Sequence, residues 1–342
     1  MSVTVPEGLE QGLEGEALME ELAEDESASL SEPEFRAVGM GVAQHGERLD
    51  RALAETVPEF SRSYLQQLLG HGAVRLNGQP VSKAAHRVKA GDQVVVEMRP
   101  TLESQAFRPE AMDLDVVYED AHLLVVHKPA GLVVHPAPGN WSGTLLNGLI
   151  ARDPQSAQVP RAGIVHRLDK DTSGLMVVAR TRSAMDALVH MIAQRQVHRQ
   201  YLALAHRPWK GASNVRLEGP MGRDPRNRLR MAVVNLALHA GKTARTDVEL
   251  LASCEPGCWV RCTLHTGRTH QIRVHMATAG HPLVGDVLYG GTVVAGMQRQ
   301  ALHAFRLAFT HPVSGEPLEF LAPLPQDMRA ALGEWGLGYN GL

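Results

Sequence analysis

Apolar residues first recur at helical spacing in the segment ERLDRALAE, where Leu49 and Leu53 stand four apart. Leu65, Leu68 and Leu69 repeat the pattern after Ser61, a residue able to cap a helix, and Gly70 and Gly72 end it. The period then shortens: residues 73–76 read as a strand, Asn77 and Gly78 as a tight turn, and residues 93–97 as a further strand. Beyond a stretch without period, strands are predicted at 116–118, 123–126 and 175–179. Thr181 then caps a helix with Met185, Leu188 and Ile192 on one face, and the next strand carries Tyr201. Two more strands fall at 248–251 and 260–264, and a helix over 269–279 closes at Gly280 with Pro282 beyond. Strands outnumber helices and some connections are hairpin-short. The pattern predicts an α+β fold with a mixed, largely antiparallel sheet, preceded by a small α/β module.

The chain divides accordingly. Residues 1–40 read as an acidic, solvated tail, 45–99 as the small module, 100–112 as a linker containing Pro100 and Pro109, and 113–330 as the main domain. The formal net charge of −3 hides a strong asymmetry. Residues 1–34 hold eleven acids and no Lys or Arg, which leaves 34 basic against 26 acidic residues, net +8, over 35–342. A basic body of this kind suits a polyanionic partner. In the module the cations are Arg48, Arg51, Arg62, Arg75, Lys83, Arg87 and Lys89. There is no apolar run long enough to span a bilayer, and no basic start followed by an apolar stretch, so a cytoplasmic protein is expected.

Three cysteines, Cys254, Cys258 and Cys262, are too few and oddly numbered for a disulfide framework. Cys258 and Cys262 share the face of Val260 on an alternating segment and read as small buried residues, not metal ligands. His265, His270 and His275 are five apart, which fits no usual ligand spacing.

The densest chemistry lies in the loop before the 175–179 strand, where Asp169 and Asp171 stand among Arg167, Lys170 and Arg180. A carboxylate among cations is favoured in its charged form, which suits a nucleophile or a base. A loop aspartate taken alone is more often a cap or a surface ion-pair member, so its weight comes from the surrounding string.

That string, His166-Arg-Leu-Asp-Lys-Asp-Thr-Ser-Gly-Leu175, resembles the HRLDxxTSGL signature of the RluA family of pseudouridine synthases without departure. A second family block is matched by Lys128-Pro-Ala-Gly-Leu-Val-Val-His135, a third by Thr266–Met276, and further ones by Gly280–Asp286, Tyr289-Gly290 and Gln300–Ala304. The likeness runs from about Glu47 to about Met328 and is nearest to members that modify several uridines of one hairpin in 23S (large-subunit) ribosomal RNA. The basic module resembles the alpha-L RNA-binding unit of ribosomal protein S4 and its relatives, in which cations neutralise phosphates and release counterions.

The resemblance implies an isomerase without cofactor or metal, acting on large-subunit ribosomal RNA; a monomer is the default expectation. It assigns Asp169 as the essential carboxylate and Arg273 as its partner, expected to hold it through a bidentate pair. Tyr201 is to stack on the flipped base and help remove its carbon-five proton, and Arg167 is to enter the RNA where that base leaves. Arg268 joins the RNA-binding set. His166, His270 and His275 are read as structural or RNA-contacting. Two other readings stand beside this one: the same chemistry on another ribosomal or transfer RNA site, and a non-catalytic RNA-binding protein of ribosome assembly. A metal-dependent RNA hydrolase lacks the carboxylate cluster that it needs.

Overall fold

The structure is a computed structural model and describes residues 34–338 apart from 59, 61, 99–105, 138–139 and 228. Two compact units are present. The larger is built from Pro109–His135 and from Gly143 onward, and the smaller takes in residues up to Arg108 and Pro136–Ser142.

In the smaller unit, strand β1 (Glu34–Gly39) precedes helices α1 (Leu49–Thr56) and α2 (Arg62–Gly70) and strands β2 (Val74–Leu76), β3 (Gln79–Pro80) and β4 (Gln93–Met98). The sheet runs β1-β4-β2-β3, all antiparallel. The predicted turn is there, with Asn77 at φ 49° and Gly78 at φ 80°, the left-handed pair that a two-residue hairpin demands. Leu49, Leu53, Leu65 and Leu69 pack fully buried with Val94 and Val96 of β4. Each such side chain contributes roughly 2 kcal/mol of apolar burial. Strand β1 corrects the sequence reading, which ran the acidic tail to residue 40: charge counting hid that residues 34–39 pair along the whole of β4. Residues 1–33 of that tail, the Ser61 cap and linker residues 100–105 lie outside the described residues.

The larger unit begins with β5 (Val116–Glu119), β6 (Leu123–Lys128), α3 (Leu145–Arg152), β7 (Ser173–Ala179), α4 (Arg182–Ala193) and β8 (His198–His206). It continues through β9 (Asn214–Glu218), β10 (Met221–Arg223), β11 (Met231–Val233), β12 (Arg245–Ser253), β13 (Gly257–Leu264) and α5 (Gln271–Thr278). It ends with β14 (Leu302–Thr310), β15 (Pro317–Leu321) and α6 (Gln326–Glu334). The main sheet has the order β5-β6-β7-β14-β8-β13-β12-β9, with β15 also on β14. The β7–β14 pair is parallel and the other ladders of this sheet are antiparallel, so the sheet is mixed and largely antiparallel, an α+β fold. A boundary at residue 330 cuts through α6, whose Ala331 and Leu332, with Leu337 beyond, are core residues.

Alternation along the strands sends side chains to two sides. Leu124, Val126, Met176, Val178, Tyr201 and Ala203 share a core with α3 and with Ile272 and Met276 of α5. The intervening Leu123, Val125, Leu175 and Val177 pack on Met185 and Leu188 of α4, and Leu202 and Leu204 pack on α6. Cys258 and Cys262 are free, fully buried and join Val260 in the first of these cores.

Candidate active site

The loop that bears Asp169 is fixed at both ends by glycine. Gly163 has φ 77°, and a Cβ there would sit 1.8 Å from the Ala179 carbonyl oxygen. Gly174 has φ 123°, and a Cβ would meet the Ala304 oxygen at 2.2 Å, where β7 pairs with β14. Only glycine, whose side chain is a hydrogen atom, fits so close a backbone approach. The Val177 N–H of β7 donates to His166 Nε2 at 3.1 Å, and within the loop the Thr172 N–H donates to the Asp169 carbonyl at 3.1 Å. Burial pulls His166 down to about 3, so the ring is neutral and works as an acceptor.

Lys128, at the end of β6, is 1% exposed. Its Nζ donates to the carbonyls of Pro129, Leu132 and Lys170 at 2.8, 2.9 and 2.9 Å, which ties the Lys128–Leu132 loop to the residue after Asp169. Burial draws its ammonium down to about 7.

A cavity of about 670 Å³ brings Arg167, Asp169, Tyr201, Arg268 and Arg273 together on one wall system. The Arg273 Nη1 donates to Asp169 Oδ2 at 3.2 Å. The expected bidentate pair is made with a different acid: Arg273 Nε and Nη2 donate to Asp286 at 2.7 and 2.8 Å. Asp286 is 1% exposed, and its fixed carboxylate orients the guanidinium so that Asp169 receives the remaining edge. Burial works against the Arg273 charge, but the hydrogen bonds and charge of Asp286, with that of Asp169, hold it above its ordinary value. The Tyr289 ring lies 4.9 Å from the same guanidinium, and its hydroxyl meets His270 Nδ1 at 2.7 Å and accepts from the Met231 N–H at 2.9 Å. The other nitrogen of His270 is 4.0 Å from Asp169. Residue 270 is left-handed, φ 57°, which is why α5 starts at Gln271 and not at the predicted 269.

Tyr201 is 5% exposed, and burial pushes its phenol up to about 12. Arg167 is exposed at the cavity, and the Arg268 Nε donates to the Thr243 carbonyl. Among the described residues no group of three His, Cys, Asp or Glu side chains is placed to hold a metal ion, and no helix is long and apolar enough to cross a membrane.

Residues 122–278 match the family model described as RNA pseudouridylate synthase. The ribosomal large subunit pseudouridine synthase D of Neisseria meningitidis serogroup B is 50% identical over 316 residues, 88% of this chain and 82% of that protein. The chain belongs to the RNA pseudouridylate synthase family. It is an isomerase that converts uridine in RNA to pseudouridine. The protein of the same name from Xanthomonas campestris pv. campestris is 46% identical over 89% of this chain and 94% of its own. The solved structure of human RNA pseudouridylate synthase domain containing 1 superimposes with a TM-score of 0.50 and 29% identity, covering 68% of this chain and 90% of that one. Residues 47–94 match the S4 domain, so this pseudouridylate synthase carries the expected RNA-binding module.

In that module the cations divide. Asp50 is fully buried and accepts from Arg48 at 3.0 Å, from Arg62 at 2.7 Å and from Gln66 at 2.6 Å, which binds α1 to α2. Arg51 pairs with Glu47 and Glu55, and Arg87 donates to the Gly46 carbonyl. Arg75 and Lys83 are exposed. In the synthase unit, sequence reading missed the work of Asp286, Tyr289 and Lys128, although each stands inside a quoted family block; the signal was present and its partner was not.

Proposed function

We propose that the chain isomerises several uridines of one hairpin in 23S ribosomal RNA, with Asp169 as the essential carboxylate. The observation that carries the reading is the contact of Asp169 with Arg273 in a cavity that also holds Tyr201 and Arg167. The target rests on the large-subunit names of relatives 46–50% identical over most of the chain.

In this account the target base leaves the RNA stack, at a cost of a few kcal/mol, and enters the cavity. Arg167 fills the place that the base leaves. Tyr201 offers its flat face to the base and, with its phenol near 12, works as a neutral hydroxyl and not as a standing base. Arg273, held by Asp286, aims Asp169 at the nucleoside and stabilises its charge. Arg268 and the module residues Arg48, Arg51, Arg62, Arg75, Lys83 and Arg87 contact the RNA, with the module at 45–99 raising affinity and selecting the site. The protein works as a monomer in the cytoplasm and needs no cofactor.

The test is to incubate the purified chain with large-subunit RNA that lacks modifications and to map pseudouridine by chemical derivatisation and primer extension. New pseudouridine clustered in one hairpin supports the reading. Modification found only in transfer RNA or small-subunit RNA overturns the target.

A further inference from the structure

Among the described residues of the larger unit, the buried Lys, Arg and Asp side chains are partnered with one exception. Lys128 meets three carbonyls, Arg273 meets two carboxylates, and Asp224 meets Arg230. Arg199 is 7% exposed, yet among the described residues its guanidinium has no hydrogen-bond or ion-pair partner, and its Nε is sealed from solvent. Arg199 lines the cavity from β8, two residues from Tyr201 and therefore on the same side of the strand. The backbone closes over it: a Cβ at Gly267 would lie 2.9 Å from Arg199 Nη1. A guanidinium keeps its charge in proteins, and a buried charge without a partner is costly to the free fold. Such a group is arranged for a ligand with electron-rich oxygens, and the cavity's ligand, on the proposed function, is a uridine turned out of RNA.

We propose that Arg199 is a further catalytic residue, whose N–H groups hydrogen-bond a carbonyl oxygen of the extruded uracil and offset the negative charge of the ring while it is detached from ribose. When the C1′–N1 bond breaks, its electron pair stays with the ring and spreads over N1 and the carbonyl oxygens. After the ring turns, C5 supplies the pair for the new bond to C1′, loses its proton, and N1 takes up a proton. Atoms and electrons balance without an outside reagent. A fixed cation beside the oxygens stabilises the detached ring more than the intact nucleoside, which is the condition for lowering the barrier.

The experiment compares the full-length parent with Arg199→Met and Arg199→Lys on an RNA that the parent modifies. Single-turnover rates at saturating RNA, RNA affinity across salt concentrations, affinity for the same RNA abasic at the target, and thermal unfolding are measured. The Met chain is expected to lose about a hundredfold or more in the saturated rate. Its affinity for abasic RNA and its salt slope should be unchanged, and its unfolding temperature should equal or exceed the parent's because an unpaired buried charge is gone. The Lys chain, which keeps charge but not the fork, should lie between. A rate within about threefold of the parent overturns the proposal. So does a loss seen equally on abasic RNA with a salt slope lower by about one, which marks a phosphate contact. If the Met chain does not fold, the same two results in the Lys chain decide. A parent that forms no pseudouridine marks failure of the functional reading; an active parent matched by its variants marks failure of this one.

Discussion

Asp286 takes two hydrogen bonds from Arg273, at 2.7 and 2.8 Å, and thereby leaves a single Nη1 edge for Asp169 at 3.2 Å. The buried acid and the site acid share one guanidinium, with the Tyr289 ring against its carbon. Asp286 sets where Asp169 can sit without itself facing the substrate.

Asp286→Asn should therefore behave as a positioning defect. It removes one charge of a buried pair, which costs about 3 kcal/mol in urea unfolding. The saturated single-turnover rate should fall by about a hundredfold while RNA affinity holds, because a shift of about 1 Å in a reacting group has that effect. A variant with normal stability and rate would show that Arg273 needs no such anchor.

Lys128→Met tests the loop anchor. The substitution keeps the volume and strips donors from three carbonyls, one of them Lys170 next to Asp169. Leaving buried acceptors unpaired costs about 1–3 kcal/mol each, so unfolding should shift measurably and catalysis should slow with it. Unfolding and rates equal to the parent's would exclude a structural tie.

How far the site was legible follows from the residues. The string from His166 to Leu175 pointed to Asp169 and Arg167, the 266–276 block to Arg273, and the family-like segment Arg199-Gln-Tyr-Leu-Ala203 to Tyr201, because these depend on local order along the chain. The Asp286 partnership depends on α5 meeting a turn thirteen residues later, and nothing in the spacing states it. Helices α3 and α5 are buried on all sides over Leu145–Ile150 and Gln271–Met276, so no amphipathic period marks them strongly. Helix α3 went unseen and α5 was placed only from its stop signals, Gly280 and Pro282, whereas α1 and α4, each with one apolar face, were placed well. Strand β1 was lost in a count of acids, although residues 35–38 read Phe-Arg-Ala-Val.

Three histidines, His303 buried and His135 and His166 partly so, make stability fall in acid. Burial holds His135 and His166 down to about 3 and His303 down to about 4, against an ordinary value of 6.5. Below pH 6.5 the unfolded chain binds protons that the folded chain refuses, so stability present above 6.5 is lost as the pH falls towards 3. Urea unfolding at stepped pH should show this slope, and His166→Gln, whose amide can still accept from Val177, should flatten it. An unchanged slope in that variant would mean that His166 titrates freely.

The module cations should separate by salt dependence. Arg75→Ala and Lys83→Ala should each lower the slope of log affinity against log salt by about one, without loss of stability. Asp50→Ala should instead destabilise the module by about 1–3 kcal/mol, since it removes the buried acceptor through which Arg48, Arg62 and Gln66 join α1 to α2. Equal salt slopes in parent and double variant would remove those two residues from the RNA contact.

The central claim is that Asp169 does chemistry and not binding. The decisive measurement is Asp169→Asn, a change of one atom, assayed for pseudouridine in unmodified large-subunit RNA alongside its affinity for that RNA. The account predicts affinity within about threefold of the parent and no pseudouridine above background. Pseudouridine formed at the parental rate would contradict it.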